Sequence, residues 1–267
     1  MKKKIVFIDM DGTLYQTEND VIQPSSLKAI QTLKDKGFRV TAATGRPLNM
    51  IKPILDRVTF DDYVLINGGY VLDDKFRIID ANPIQKDTLE DLIALANDNN
   101  FGLMIHFGDA TYIYNNFYPA YEFAKYTNSL DGLFYDPSQT WHNRHDAYNA
   151  VIMTKNPEAV QEFVEKHPEL RLDLINVKTD GFAYDIFPKE NDKVRGIQKV
   201  LDREGLDWAE AVTFGDSTND IQMLQKAGLG IAMGTAAPEV QQAADYITTS
   251  VYDDGIANAL DLVLESE

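Results

Sequence analysis

Short apolar runs alternate with amphipathic segments along the first third of the chain. Lys4–Ile8, Phe38–Ala43 and Tyr63–Ile66 have the length and composition of buried strands, and helices are predicted between them, from Pro24 onward and over Pro47–Val58. Strand–helix–strand units with short connections are typical of a parallel, doubly wound sheet. We therefore expect an α/β fold.

The pattern changes after about residue 80. An amphipathic helix is predicted over Lys86–Asn99, followed by two strands, Leu103–Phe107 and Thr111–Tyr114, around a Gly-Asp turn. Residues 131–146 show no regular period, and a second hairpin is predicted over Leu172–Lys178 and Phe182–Phe187. Helices and antiparallel hairpins grouped in this way predict a small α+β domain.

Strand–helix alternation resumes at the helix predicted over Val194–Glu204 and continues to the end of the chain. The sequence thus predicts a mostly parallel α/β core made of residues 1–81 and 189–267. The α+β domain, residues 82–188, is inserted into it.

The composition excludes several classes of function and partner. The 267 residues include no cysteine, which excludes disulfides, thiolate catalysis and cysteine-based zinc sites. No apolar run is long enough for a membrane span or a secretory signal, so we expect a cytoplasmic protein. The net charge of −17 disfavours nucleic acid and anionic membranes as partners. A phosphorylated substrate would need a locally positive site.

Two carboxylates follow the first predicted strand. Asp9 and Asp11 lie in Asp9-Met10-Asp11-Gly12-Thr13, where Gly12 permits a sharp turn. Such residues are also common in ordinary polar turns. The functional interpretation is a carboxylate nucleophile that attacks phosphorus, with a second carboxyl that protonates the leaving oxygen and then activates water.

A second polar segment follows the second predicted strand. Thr44, Gly45 and Arg46 combine a hydroxyl, a bare backbone and a guanidinium just before a helix. Helix N-termini bind phosphate because their free N–H groups and dipole favour an anion. Helix capping by Thr44 is the structural alternative.

Two later segments add a cation and further acids. Lys193 lies at a predicted helix start, where the helix dipole disfavours a cation; this position suggests neutralisation of phosphate, although lysines are usually exposed on the surface. Asp216, Asn219 and Asp220 crowd a glycine turn after a later strand. The two acids could cap a helix, or their oxygens could bind Mg²⁺. Together the four segments hold what phosphoryl transfer requires.

In these motifs the chain resembles the haloacid dehalogenase (HAD) superfamily of phosphatases. Asp9-Met10-Asp11-Gly12-Thr13 is similar to its first motif, Thr44 to the second, Lys193 to the third, and Gly215-Asp216-x-x-Asn219-Asp220 to the fourth. The insertion between the second and third motifs resembles the class IIB, Cof-type arrangement, with a cap domain that selects the substrate. Val194 and Thr235 depart from the family pattern, which commonly has glycine and asparagine there.

The resemblance implies a role for each residue. Asp9 would be the nucleophile and Asp11 the acid/base, and Mg²⁺ would be held by Asp9, Asp11 and Asp216, with Asp220 supporting the site. The phosphate would be bound by Met10, Thr44, Gly45, Arg46, Lys193 and Asn219. The expected function is Mg²⁺-dependent hydrolysis of a small phosphate ester, such as a sugar phosphate, through an aspartyl-phosphate.

Several alternatives stay open. A phosphotransferase or mutase on the same scaffold, a receiver-type signalling domain and a binding protein with a relic site fit part of the pattern. Candidate residues for choosing the leaving group are Tyr118, Tyr121 and the stretch Trp141–His145, all of which could instead be structural. The sequence specifies neither the natural substrate nor whether the protein is a monomer or a homodimer.

Overall fold

A computed structural model gives the fold and describes residues 3–127, 130, 132–175 and 181–266. In chain order its strands are β1 (Ile5–Ile8), β2 (Tyr15–Gln16), β3 (Val21–Ile22), β4 (Arg39–Ala43), β5 (Asp62–Leu65), β6 (Tyr70–Asp73), β7 (Ile78–Ala81), β8 (Gly102–Phe107), β9 (Thr111–Asn115), β10 (Leu133–Tyr135), β11 (Ala147–Thr154), β12 (Leu170–Ile175), β13 (Phe182–Pro188), β14 (Ala211–Gly215), β15 (Leu229–Ala232) and β16 (Tyr246–Ile247).

The α-helices are α1 (Pro24–Asp35), α2 (Leu48–Leu55), α3 (Lys86–Asp98), α4 (Phe117–Tyr126), α5 (Pro157–Lys166), α6 (Lys193–Glu204), α7 (Ile221–Lys226), α8 (Pro238–Gln242), α9 (Gly255–Asn258) and α10 (Leu260–Glu265). Short 3₁₀ turns cover Trp141–Asn143, Trp208–Glu210 and Thr218–Asp220. None of the helices in the described ranges is long and apolar enough to cross a membrane.

The chain divides into two compact units. The first comprises Met1–Gly45, Asp56–Asp80 and Asp192–Glu267, and the second comprises Arg46–Leu55 and Ala81–Asn191. The segment Arg46–Leu55, which the sequence analysis placed in the core, thus groups with the second unit. The division into a catalytic core and a specificity domain stays a prediction about function.

An eight-stranded sheet in the order β16-β15-β14-β1-β4-β5-β6-β7 forms the centre of the first unit. Its strands from β16 to β5 are parallel, and β6 runs antiparallel to β5. Every residue of β1 is buried, as expected for a central parallel strand covered on both faces. Helix α6 packs Ile197, Val200 and Leu201 against this sheet because their spacing puts them on one face.

The second unit contains a six-stranded sheet in the order β10-β9-β8-β11-β13-β12. Its pairs are antiparallel except β9 with β10. Apolar side chains of α3 and α5 pack on one face, and α4 packs on part of the other face. The predicted fold class, a mostly parallel α/β sheet with an inserted α+β domain, is confirmed.

Some local predictions were wrong. The region 131–146, predicted irregular, contains β10 and a 3₁₀ turn. Strands β6 and β7 were not predicted, and the helix predicted over Pro47–Val58 covers only Leu48–Leu55. The second hairpin is formed by β12 and β13; the predicted residues 176–178 lie outside the described residues.

Candidate active site

Three neighbouring parallel strands bring the predicted site residues to one edge of the first sheet. Strands β14, β1 and β4 are adjacent, and Asp216, Asp9 and Thr44 follow directly after them. Parallel strands end at the same edge, so residues far apart in sequence become neighbours. This register also fixes Asp9, whose backbone N–H donates to the carbonyl of Phe214 at 3.0 Å.

Helix α6 supplies the cation at its first residue. Lys193 is 1 % exposed, and the preceding Asp192 caps the helix by accepting from the backbone N–H of Arg195 at 2.6 Å. Gly68 lies so close to the backbone carbonyl of Asp192 that any Cβ there would overlap it. The helix start, and with it Lys193, is therefore held by backbone packing.

The ammonium of Lys193 bridges two buried carboxylates. Its Nζ donates to Oδ1 of Asp9 at 2.5 Å and to Oδ1 of Asp220 at 2.6 Å. The second oxygen of Asp220 accepts from the backbone N–H groups of Asp216 and Ser217, both at 3.0 Å. Because both of its oxygens are engaged by protein donors, Asp220 orients Lys193 and the turn that carries Asp216.

Asp216 is joined to the first motif through Thr13. The hydroxyl of the buried Thr13 donates to Oδ1 of Asp216 at 2.9 Å. Gly12 has φ +78°, and a Cβ at this position would overlap the Asp216 carboxylate. The first and fourth motifs thus meet closely enough that only glycine fits at residue 12.

The electrostatics of the carboxylates favour a bound cation. Oxygens of Asp9, Asp216 and Asp220 lie within 4.8 Å of one another. Burial raises the pKa of Asp9 well above its ordinary value, although Lys193 opposes this shift. Burial, followed by the charge of Asp220, raises the pKa of Asp216 to about 6. When all three are ionised, Lys193 leaves an excess of two negative charges, which a divalent cation would balance.

The donor atoms fit a hard divalent cation such as Mg²⁺. Mg²⁺ prefers hard oxygen ligands, usually one or two carboxylates with water and substrate phosphate completing the shell. Asp9 and Asp216 offer such oxygens, while Asp220 is occupied as described above. Asp11 does not belong to this carboxylate cluster; it is half-buried, and its Oδ1 accepts from the hydroxyl of Thr17 at 2.6 Å. Met10 has a fully buried side chain, which leaves its backbone as the group that could reach a ligand.

Asn67 connects two of the predicted phosphate-binding segments and was missed by the sequence analysis as a site residue. Its Oδ1 accepts from Nδ2 of Asn219 at 3.0 Å, and its backbone N–H donates to the carbonyl of Thr44 at 3.1 Å. Its amide also lies beside Gly45, where a Cβ would meet it at 3.2 Å. The signal was present: Asn67 opens the Asn67-Gly68-Gly69 turn, and asparagine tolerates its positive φ of 47°.

The remaining residues that were predicted to contact the substrate belong to the second unit. Arg46 is half-buried, and its Nη1 donates to the carbonyl of Met50 at 3.3 Å. Tyr118 is exposed, while Tyr121 stacks on Phe117. Within Trp141–His145 the first and last rings stack at 4.1 Å. Both contacts are between aromatic rings of the second unit. A role of these residues in selecting the leaving group stays a prediction.

The doubly wound sheet, with acidic residues and a buried lysine at the ends of its strands, is typical of an α/β enzyme, and comparison with known proteins identifies the family. Residues 6–260 match the model of the haloacid dehalogenase-like hydrolases. YkrA of Bacillus subtilis is 27 % identical over 97 % of this chain and 97 % of its own length. The 5-amino-6-(5-phospho-D-ribitylamino)uracil phosphatase YcsE of the same organism is 26 % identical over 96 % of this chain and 94 % of its own.

Similarity to a solved structure supports the same family. BT4131, described as a HAD subclass IIB sugar phosphatase, is 25 % identical, has a TM-score of 0.82 and is matched over 99 % of this chain and 100 % of its own. The chain belongs to the haloacid dehalogenase-like hydrolase family, and it is a phosphatase of that family. The resemblance inferred from the four motifs is confirmed.

Proposed function

We propose that the protein is a Mg²⁺-dependent phosphatase that hydrolyses a small phosphorylated metabolite through an aspartyl-phosphate on Asp9. The observation that carries this proposal is the buried Lys193, which bridges Asp9 and Asp220 beside Asp216. Such an arrangement holds a carboxylate in a fixed position and provides positive charge where phosphoryl oxygens would lie.

The first half-reaction transfers the phosphoryl group to the protein. A carboxylate oxygen of Asp9 forms a bond to phosphorus as the ester P–O bond breaks, and the carboxyl of Asp11 gives its proton to the leaving oxygen. Lys193, Thr44 and Asn219 are assigned to the phosphoryl oxygens, with Met10, Gly45 and Arg46 as further phosphate contacts. Mg²⁺, held by Asp9 and Asp216 with the backbone carbonyl of Asp11, would neutralise charge on the transferring group.

The second half-reaction restores the enzyme. Asp11, now a carboxylate, takes a proton from water as the water oxygen attacks phosphorus, and the bond to Asp9 breaks to release phosphate. We assign these steps to residues 1–81 and 189–267, and the choice of leaving group to residues 82–188. A sugar phosphate or similar monoester is the proposed substrate; the sugar phosphatase description of BT4131 supports this class.

A screen of phosphorylated metabolites tests the proposal. With Mg²⁺ present, the wild type should release free phosphate, and Asp9→Asn should match a blank without enzyme. Chelation of divalent metal should abolish turnover; full activity in chelator would rule out the metal role. Product analysis separates hydrolysis, which gives free phosphate, from transfer, which gives a new ester.

The covalent step has its own test. An aryl phosphate such as p-nitrophenyl phosphate has a leaving group that needs no proton, so Asp11→Asn should still be phosphorylated but should hydrolyse slowly. Acid quenching and peptide mass spectrometry should then find phosphate on Asp9 in Asp11→Asn and none in Asp9→Asn. Phosphate on another residue would contradict the assigned nucleophile.

A further inference from the structure

The turn between β5 and β6, Ile66-Asn67-Gly68-Gly69, has a backbone that is costly to form. Ile66, Asn67 and Gly68 have φ values of 50°, 47° and 82°, so three consecutive residues lie in the left-handed region. Glycine and asparagine adopt this region readily, but a β-branched residue such as the buried Ile66 is an outlier there. Backbone strain of this kind persists only where surrounding contacts hold it, and such strain is concentrated at functional sites.

The contacts of this turn lead to three other segments of the first unit. The backbone N–H of Asn67 donates to the carbonyl of Thr44 at 3.1 Å. The carbonyl of Gly68 accepts from Nη1 of Arg195, on the first turns of α6, at 2.9 Å. Oδ1 of Asn67 accepts from Nδ2 of Asn219 at 3.0 Å. The strained turn therefore joins the segments that carry the second, third and fourth motifs.

Asn219 needs such a contact because its own position does not hold its side chain. It is exposed and lies in the 3₁₀ turn Thr218–Asp220. Its bond to Asn67 is the only hydrogen bond that its side chain makes among the residues that the structure describes. An exposed side chain without a partner samples several rotamers. Asn67, by contrast, is 9 % exposed and is fixed by its backbone, so it offers an acceptor at a constant place.

The hydrogen bond also decides which end of the Asn219 amide is presented. The amide nitrogen carries two N–H donors, and its oxygen only accepts. Oδ1 of Asn67 engages one of the two N–H groups and leaves the other for a phosphoryl oxygen. Rotation of the amide by 180° would bring its oxygen toward the phosphoryl oxygens, which would repel it. Donors stabilise a transition state most when they are oriented before the reaction.

We infer that Asn67 is a positioning residue for phosphoryl transfer, which orients Asn219 so that Nδ2 of Asn219 donates to the phosphoryl group. This inference rests on the proposed phosphatase function, which assigns Asn219 to the phosphoryl oxygens. Asn67, Thr44 and Asn219 all belong to the first unit. The effect of Asn67 should therefore be the same for every phosphate monoester, whatever its leaving group.

A double-mutant cycle tests whether Asn67 acts through Asn219. Asn67→Gly removes the amide and suits the left-handed backbone of the turn. Asn219→Ala should lower kcat/KM about 100-fold, the loss expected for one oriented donor. Asn67→Gly should lower kcat/KM at least about tenfold, as expected for a hydrogen bond to a charged group that is no longer held. The double variant should lose no more than Asn219→Ala does, within about twofold.

The inhibition constant of inorganic phosphate separates positioning from partial unfolding, because it does not depend on the fraction of active enzyme. This constant should rise about tenfold in Asn67→Gly and no further in the double variant than in Asn219→Ala. Asn100→Gly is the matched control. Asn100 is an exposed asparagine of the second unit with a φ of 52°. Its replacement should change neither kcat/KM nor the inhibition constant.

The kinetics should be measured with p-nitrophenyl phosphate and with the best ester of the metabolite screen, and the losses should be equal on both. Losses that multiply in the double variant, an unchanged inhibition constant in Asn67→Gly, or a loss confined to one ester would overturn the inference. So would an equal loss in Asn100→Gly. Each of these results would leave the phosphatase proposal intact, whereas a wild type that hydrolyses no monoester would overturn both.

Discussion

At the scale of single residues, Lys193 shows how an acidic protein can hold a buried positive charge at its candidate active site. An ammonium at a helix N-terminus is opposed by the helix dipole, and burial adds a desolvation cost. Its two contacts with Asp9 and Asp220 offset these costs and raise the pKa of the lysine. The lysine thus stays charged and supplies the cation that both buried carboxylates share.

Replacing this lysine should damage both stability and activity. Lys193→Met leaves two buried carboxylates without their cation, so the free energy of unfolding should fall by about 3–5 kcal/mol. Phosphatase activity should fall about 100- to 1,000-fold, the usual loss for a donor to a transition-state oxyanion. Urea denaturation and kcat measure the two effects. As a control, Lys199→Met in the same helix removes only a half-exposed contact with Asp80 at 3.3 Å and should cost less than about 1 kcal/mol.

His106 makes stability depend on pH. It is buried, its Nδ1 lies 2.8 Å from the hydroxyl of Thr111, and burial lowers its pKa from 6.5 to about 4. Between these two pH values the unfolded chain binds a proton that the folded chain does not, so folding weakens as pH falls. His106→Gln removes this loss, which totals about 3 kcal/mol between pH 6.5 and 4. Urea midpoints at pH 7, 5.5 and 4.5 should show wild type losing stability relative to the variant.

The exposed His145 provides the comparison for that experiment. It lies in the same unit and stacks on Trp141. His145→Gln shows what the loss of an exposed histidine from the same unit does to the urea midpoints. A stability difference between wild type and His106→Gln that does not change with pH would contradict the assigned role of burial.

At the scale of elements, the helices and strands that carry motifs were predictable, while their contacts were not. Strand β1 and helix α6 were predicted within a residue or two. Strand β1 is a continuous apolar run that ends at a polar turn, and α6 has a strong helical period that begins after one. Helix α2 proved shorter than predicted: it continues past Pro53, ends at Leu55 and is followed by a turn. Asn67 lies in a recognisable turn, but only the fold brings it to Asn219, which is 152 positions away in sequence.

The turn after β1 gives a prediction at this scale. Gly12→Ala adds a methyl group that overlaps the Asp216 carboxylate, in addition to the cost of a positive φ. Displacing Asp216 should lower kcat about 100-fold, the effect expected for a misplacement of about 1 Å. Gly205 at the end of α6 has φ +66° and open space around it. Gly205→Ala should therefore lose about 1 kcal/mol of stability and keep full activity.

At the scale of the whole molecule, the order of motifs and the insertion were sufficient to predict the fold class, an α/β sheet with an inserted α+β domain. Strands β6 and β7 were not predicted, because they follow a glycine turn and lack a distinctive period. The hydrogen bond between Asn149 and Asp185 was also invisible in the sequence, because both residues look like ordinary polar positions of alternating strands. Which strands pair is a long-range property of the fold.

The divalent cation proposed at the carboxylate cluster should affect stability as well as chemistry. In the absence of metal, Asp9, Asp216 and Asp220 repel one another, with Lys193 as their shared cation. A ligand that binds only the folded chain stabilises it by about 2.7 kcal/mol when its concentration is 100 times its Kd. Mg²⁺ at 100 times its Kd should therefore raise the Tm by about 5 °C or more for a chain of this size.

This stabilisation should depend on the predicted ligands and not on the acidic surface in general. Asp216→Asn should abolish the Mg²⁺-dependent rise in Tm, because it removes one of two carboxylates that can still accept a metal. Asp98→Asn, a change at an exposed acid on α3, should leave the rise unchanged. Differential scanning calorimetry at fixed ionic strength measures the effect and excludes simple screening. An equal rise in Tm for Asp216→Asn would place the metal elsewhere in the protein and would remove Mg²⁺ from the proposed site at Asp9.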